Sequence, residues 1–161
     1  MLSHVQRAAS LNRDYLHGLI ADIEPAEMTH QPAAGMNHPA WILAHLAATA
    51  GELVSLLGGQ SPVPGDWSGR YGHGSKLSDN PDDYPDRQTL VKTYDAAHEA
   101  MLTAIGAATG EVLQRPTPIE DLRQMLPTLG DAVVFMATAH EATHLGQLSA
   151  WRRAAGRAPL F

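Results

Sequence analysis

The sequence has no cysteine, and this absence excludes several kinds of chemistry. Disulfide bonds, thiolate metal ligands and a cysteine nucleophile are all ruled out. The absence is also compatible with the cytoplasm, which is the location we expect. Phenylalanine is scarce as well, with 2 residues against 9 histidines. That unusual balance fits metal chemistry, because imidazole is a common metal ligand.

Positive charge and long apolar runs are also in short supply. Lys and Arg number 11 against 17 Asp and Glu, so the formal net charge of −6 gives nucleic-acid binding no electrostatic support. No segment approaches ~20 uninterrupted apolar residues, so no membrane span is expected. Residues 1–7 lack the apolar run of a signal peptide. We therefore expect neither a nucleic acid nor a membrane as a partner.

The residues that are present favour helices. The 161 residues, 44% of them hydrophobic, predict one domain, 1–161, with a sizeable core. Apolar residues recur at helical spacing in four segments, with no strand signal between them. The predicted helices are Leu2–Ile23, Pro39–Leu57, Arg87–Thr109 and Leu129–Ala155. This pattern predicts an all-α four-helix bundle with long interhelical connections.

Capping residues mark where three of these helices begin. Asn37 or His38 can cap the second helix, and Asp86 can cap the third. Thr128 and Asp131 have the spacing of a capping box at the start of the fourth, with Asp in place of Glu. The lengths of the connections do not decide the topology of the bundle.

Two histidines stand one turn apart on the fourth predicted helix. His140 and His144 share a face, and the residues that continue this face are apolar: Val133, Ala137, Leu148 and Trp151. Each buried polar group without a partner costs about 1–3 kcal/mol. A metal ion would satisfy both imidazoles at once. The alternative is a pair of core histidines that are satisfied by hydrogen bonds.

The same residues match H-E-x-x-H, the pattern of zinc proteases. Such proteases usually take a third ligand from downstream, but the segment 145–161 contains no His, Asp, Glu or Cys. We therefore rank a protease last and look upstream for the third ligand. His45 lies in the middle of the apolar face of the second predicted helix and is the best candidate.

Two motifs together resemble those of the DinB/YfiT-like superfamily. The first is the run Asn37–Leu46, NHPAWILAHL, and the second is His140-x-x-x-His144-Leu-Gly-Gln147. The resemblance implies a four-helix bundle, often a homodimer, with a metal triad at His45, His140 and His144. The implied cofactor is a divalent ion, Zn or Ni. Characterised relatives include thiol-dependent S-transferases and a maleylpyruvate isomerase, which use low-molecular-weight thiols.

Three neutral imidazoles around a divalent ion leave at least one position open, which is typical of catalytic sites. Such an ion lowers the pKa of bound water to ~7, or holds an external thiol as thiolate. We therefore expect a metal-dependent transferase or hydrolase that acts on small electrophiles, with or without a thiol cofactor. The alternative is a non-catalytic, stress-related metal-binding protein. All-nitrogen ligation does not choose among Zn, Ni, Cu and Fe.

Three further residues lie close to these histidines in the sequence. Glu141, roughly 100° around the helix from His140, is either a general base at the rim of the site or an exposed or structural residue. Gln147 is placed to orient a ligand histidine through a hydrogen bond. Trp41, one turn before His45, would form a wall of the pocket. For Gln147 and Trp41 the alternative is ordinary helix packing.

Residues farther along the chain complete the set of candidates. Tyr94 and His98 point inward on the third predicted helix, where they either line the pocket or are satisfied core residues. The irregular segment 59–85 is long for a loop and is a candidate lid. It carries side chains that either contact a substrate or pack locally: Trp67, Arg70, Tyr71 and His73.

Overall fold

The computed structural model describes residues 2–160, and the regular elements in that range are helical. This confirms the predicted all-α class. The α-helices, in chain order, are α1 (Leu2–Ile20), α2 (Pro39–Leu56), α3 (Trp67–Tyr71), α4 (Arg87–Ala107), α5 (Gly110–Leu113), α6 (Leu129–Val134) and α7 (Glu141–Ala154). A π-helical segment, Phe135–His140, joins α6 to α7. Short 3₁₀ turns occur at Pro25–Glu27, Pro81–Asp83 and Glu120–Leu122.

The long helices pack around one apolar core. Helix α1 contacts α4 on one side and the π segment and α7 on the other, and α2 contacts the same neighbours. This arrangement is compatible with the predicted four-helix bundle. All of these helices contribute fully buried side chains, among them Leu16, Ile42, Leu90, Leu148 and Trp151. The core therefore holds α2 and α7 next to each other, where the candidate ligands lie.

The predicted helix starts agree well with the structure. Asp86 accepts a hydrogen bond from the backbone N–H of Thr89 at 2.9 Å, and Thr128 and Asp131 form a capping box. His38, and not Asn37, caps α2, because its Nδ1 accepts from the N–H of Trp41 at 3.2 Å. The predicted helix ends at 23 and 109 are wrong by a few residues, since α1 ends at residue 20 and α4 at 107.

The fourth helix is not the continuous α-helix that its sequence pattern predicts. The π segment, residues 135–140, widens one turn of it. A π turn changes the rotation of the helix that follows and loosens the normal backbone ladder, and such turns are frequent at functional sites. Asn12 of α1 donates to the carbonyl of Thr138 in this segment at 3.2 Å. This contact from a neighbouring helix supplies the widened turn with a hydrogen-bond partner.

Helix α2 is the most apolar element of the fold. By length and composition alone, Pro39–Leu56 is apolar enough to cross a membrane, but 83% of it is buried inside the fold. Such burial is consistent with the core helix of a soluble protein. The absence of a membrane span therefore stays a prediction: α2 is long and apolar enough to span a membrane, but most of it is buried in the fold.

Arg152 ties the end of α7 to the end of α1. Its guanidinium group is buried, donates to the carbonyl of Leu19 at 2.7 Å and pairs with the carboxylate of Asp22. The hydrogen bond from Arg152 and the nearby charges of Arg152 and Arg157 lower the pKa of Asp22 to about 2, against the opposing effect of desolvation. This ion pair links a buried guanidinium group of α7 to an exposed carboxylate just beyond the end of α1.

We expect Arg152→Ala to lower the free energy of unfolding by about 1–3 kcal/mol, because it removes a buried charged donor and its hydrogen bond to the Leu19 carbonyl. Arg153→Ala is the matched control. Arg153 is the exposed neighbour in the sequence, so its loss should change stability by less than about 0.5 kcal/mol. Urea unfolding of both variants measures the difference. Equal losses in the two variants would contradict the role given to Arg152.

Candidate metal centre

Three histidines from two parts of the fold meet at one point. His45 comes from α2, His140 ends the π segment, and His144 lies in the first turn of α7. Nε2 of His140 is 3.1 Å from Nε2 of His45 and 3.2 Å from Nε2 of His144. A tetrahedral ion with metal–nitrogen distances of about 2.0–2.1 Å would separate its ligand nitrogens by roughly 3.3 Å. The three side chains can therefore hold one metal ion.

Hydrogen bonds behind two of the rings fix where their protons lie. Nδ1 of His45 is 2.6 Å from the carbonyl oxygen of Tyr71, and Nδ1 of His144 is 3.0 Å from Oε1 of Gln147. Both oxygens only accept, so in the neutral rings each Nδ1 carries the proton and each Nε2 carries a lone pair. This is the tautomer that a metal ligand bound through Nε2 requires.

The converging lone pairs explain why a cation fits here. His140 can place at most one proton on its Nε2, and that proton can be donated to His45 or to His144 but not fully to both. One lone pair then faces another across about 3 Å of interior space. A divalent ion between the three nitrogens gives every lone pair a partner. The donor set is thus chemically suited to a metal.

Burial keeps these imidazoles neutral. Desolvation, followed by repulsion from the neighbouring histidines, lowers the pKa of His140 to about 3 and that of His144 to about 4. Burial also lowers the pKa of His45, although its hydrogen bond to Tyr71 opposes the shift. Neutral imidazole is the form that binds a metal, so the ligands need not lose protons near pH 7.

Comparison with known families places the chain in one of them. The model of the DinB superfamily matches residues 8–148, which include all three histidines. The chain belongs to the DinB superfamily. It is a metal-binding superfamily, in agreement with the donor set. No curated protein matches the chain.

Trp41 and Gln147 lie beside the three histidines of this DinB protein. The indole of Trp41 stacks on His45 with ring centroids 4.6 Å apart and 7° between the planes, and it also contacts His144. Its Nε1 is buried and lacks a hydrogen-bond partner among residues 2–160. Gln147 orients His144, and it also accepts from Nδ2 of Asn37 at 2.9 Å. The sequence pattern gives no indication that Asn37 contacts Gln147.

Glu141 faces away from the triad. It is only 4% exposed, so the alternative of an exposed residue is wrong. Its Oε1 accepts from the hydroxyl of Tyr94 at 2.6 Å and lies 3.5 Å from Nε2 of His98, which donates to the carbonyl of Ala9. Within the described residues Glu141 has no recorded contact with the ligand histidines, and Tyr94 and His98 belong to its buried network. The general-base role stays a prediction.

The segment between α2 and α4 packs locally and also reaches the site. Tyr71 is buried, stacks on Tyr84 and donates from its hydroxyl to the carbonyl of Asp83, which also accepts from Arg70. Trp67 packs edge-on against Tyr71. The backbone carbonyl of Tyr71, which no side-chain pattern could indicate, is the group that holds His45.

The turn after α3 brings a further histidine close to the triad. A side chain at Gly72 would place its Cβ 2.2 Å from the carbonyl oxygen of Ser68, so only glycine permits this turn. His73 follows and is exposed. Its charge contributes to the lowered pKa of both His45 and His140. His73 is therefore near enough to influence two of the three histidines, and its contact with a substrate stays a prediction.

We expect the metal-free protein to lose stability as the pH falls from about 6.5 to about 3. In that range the unfolded histidines, with pKa values near 6.5, bind protons that His140 and His144 refuse in the fold, because their folded pKa values are about 3 and 4. Below these values the loss levels off. His140→Gln should make the fall shallower, whereas the exposed control His4→Gln should not. Chemical unfolding at a series of pH values tests this, and equal slopes in both variants would contradict it.

Tyr94→Phe tests the buried network around Glu141. The variant removes the one hydroxyl that donates to Oε1, while Oε2 already lacks a partner among the described residues. We expect the free energy of unfolding to fall by about 1–3 kcal/mol, with metal content unchanged. Loss of metal at unchanged stability would instead connect Glu141 and Tyr94 to the metal centre.

Proposed function

We propose that this DinB-superfamily protein is a metal-dependent transferase or hydrolase that acts on small electrophilic molecules. The resident ion is Zn or Ni, held by His45, His140 and His144. The observation that carries the proposal is the convergence of three Nε2 atoms. In His45 and His144, hydrogen bonds at Nδ1 leave the lone pair on Nε2. A closed structural site would use four protein ligands, whereas three leave room for a reactant.

The protein's own part in this chemistry is to hold the site rigid and partly dry. Tyr71 and Gln147 fix two rings, and Trp41 covers His45 and His144 on one side. Phe135 lies against His140 with ring centroids 5.9 Å apart. A divalent ion bound there supplies Lewis-acid chemistry and lowers the pKa of a water or thiol ligand. Partial exposure of His140 leaves a route for a small substrate.

A thiol cofactor would come from outside the chain, because the chain has no cysteine. The resemblance to thiol-dependent transferases supports a low-molecular-weight thiol that attacks the electrophile. A hydrolase would use water in its place. The same resemblance supports a homodimer, and the absence of cysteine is compatible with a cytoplasmic protein. These finer points are part of the proposal.

A metal-binding protein without catalysis is the second candidate. One observation favours it: among the described residues Glu141 accepts a hydrogen bond from Tyr94 and makes none to the three histidines.

The position of Glu141 also bears on the zinc-protease reading. The H-E-x-x-H pattern lacks the carboxylate that a zinc protease needs beside its ion. This placement of Glu141 supports ranking the protease last.

Metal content tests the centre itself. Protein purified without an affinity tag should carry about one divalent ion per chain, and His45→Ala should lose most of it. His4→Ala is the matched control, because His4 is an exposed residue of α1, and it should keep the ion. Elemental analysis of the three proteins decides the point. Equal metal content in all three, or no metal after incubation with Zn or Ni, would refute the triad.

Activity separates the two candidates. We expect the metal-loaded protein to convert members of an electrophile panel faster when a low-molecular-weight thiol is added, and His45→Ala to lose that rate while keeping its fold. Turnover with water alone would identify a hydrolase. If the loaded protein gave no turnover above the rate of free metal and thiol, the non-catalytic candidate would replace the enzyme.

A further inference from the structure

We propose that Asn37 is a positioning residue for the metal centre. By donating to Oε1 of Gln147, it holds that glutamine in the one orientation that leaves Nε2 of His144 free to bind a metal. The inference rests on the proposed metal centre and deepens it. Asn37 precedes α2 in the chain, whereas Gln147 and His144 lie in α7, so the contact also joins two parts of the fold.

One oxygen atom carries the whole contact. Oε1 of Gln147 lies 3.0 Å from Nδ1 of His144 and 2.9 Å from Nδ2 of Asn37. An amide oxygen has two lone pairs, so it can accept from both donors. Both bonds require the oxygen, and not the NH₂ group, to face this side of the glutamine.

The reversed glutamine would change the ligand. If its NH₂ group faced His144, it would donate to Nδ1, and the ring proton would move to Nε2. A protonated Nε2 cannot bind a metal. Residue 37 therefore matters through its hydrogen-bonding type: a donor there favours the glutamine oxygen, whereas a residue with only acceptors favours the NH₂ group.

Asn37 can be changed without dismantling the fold. His38 caps α2, so the side chain of Asn37 is not needed to start the helix. Asn37 and Gln147 are only partly buried and line an open cleft of about 400 Å³, together with small residues of the preceding turn, Ala33, Ala34 and Gly35. A substitution at residue 37 would change this cleft and not the core.

Asn37→Asp changes metal affinity through two effects of opposite sign, the loss of a hydrogen-bond donor and the gain of a negative charge. Aspartate has the same shape but only acceptors, so it should turn the NH₂ group of Gln147 towards His144. Its negative charge alone would strengthen the binding of a cation. We expect the affinity for Ni²⁺ or Zn²⁺, measured by competition with a chromophoric chelator, to fall about 10-fold or more.

Ala34→Asp is the matched control. It adds the same charge to the same cleft at an exposed position, and within residues 2–160 the native Ala34 makes no hydrogen bond to Gln147. This control should bind the metal as tightly as the parent protein or slightly more tightly. If Asn37→Asp binds the metal as tightly as Ala34→Asp does, the positioning role is wrong.

A second measurement does not depend on metal. The ¹⁵N chemical shifts of the His144 ring in metal-free protein report which nitrogen carries the proton. We expect Nδ1–H in the parent protein and in Ala34→Asp, and a shift towards Nε2–H in Asn37→Asp. The same tautomer in all three proteins would overturn the inference. A parent protein that binds no metal would refute the metal centre, while these spectra would still judge the role of Asn37.

Discussion

Three imidazole lone pairs that meet inside a helical protein are the constraint on which the rest of this structure depends. The Nε2 atoms of His45, His140 and His144 lie too close together to be solvated separately, and one shared proton cannot satisfy all of them. Burial removes the option of charging the rings, since it lowers their pKa values. A bound cation resolves the conflict, and the surrounding contacts all suit that outcome.

The fold orients two of these histidines through hydrogen bonds to Nδ1, the ring nitrogen that points away from the centre. A backbone carbonyl holds His45, and a side-chain amide holds His144. The π segment ends at His140, so the widened turn lies directly beside the centre. Trp41 packs across two of the rings. Glu141 follows His140 in sequence, yet the helical rotation carries it into a separate buried network with Tyr94.

Periodicity predicted the four main helical segments and the three candidate ligands, although it missed the π segment. Spacing of four residues placed His140 and His144 on one face, and the apolar face of the second helix singled out His45. The role of Gln147 followed from the same rule. The orientation of Glu141 was harder to predict. A rotation of roughly 100° from His140 leaves its side chain between two faces of the helix, and packing against neighbouring helices decides which face it lies on.

Other parts of the site carried no signal in the sequence. The partner of His45 is the main-chain carbonyl of Tyr71, and every residue has such a carbonyl. The π segment contacts α1 and α2, and no local pattern in the sequence marks it. Asn37 and His38 were both candidate helix caps, and in the fold His38 takes that role while Asn37 donates to Gln147. These contacts join segments that are far apart in the chain.

X-ray absorption spectroscopy of the metal-loaded protein is the most direct test of the three-histidine centre, because it reads the ligands of the ion itself. We expect three imidazole nitrogens at about 2.0–2.1 Å, with the remaining position or positions filled by exchangeable ligands such as water. We also expect His45→Ala to change this spectrum. A spectrum with fewer than three imidazoles, or one that is unchanged in His45→Ala, would show that His45, His140 and His144 do not hold the ion together.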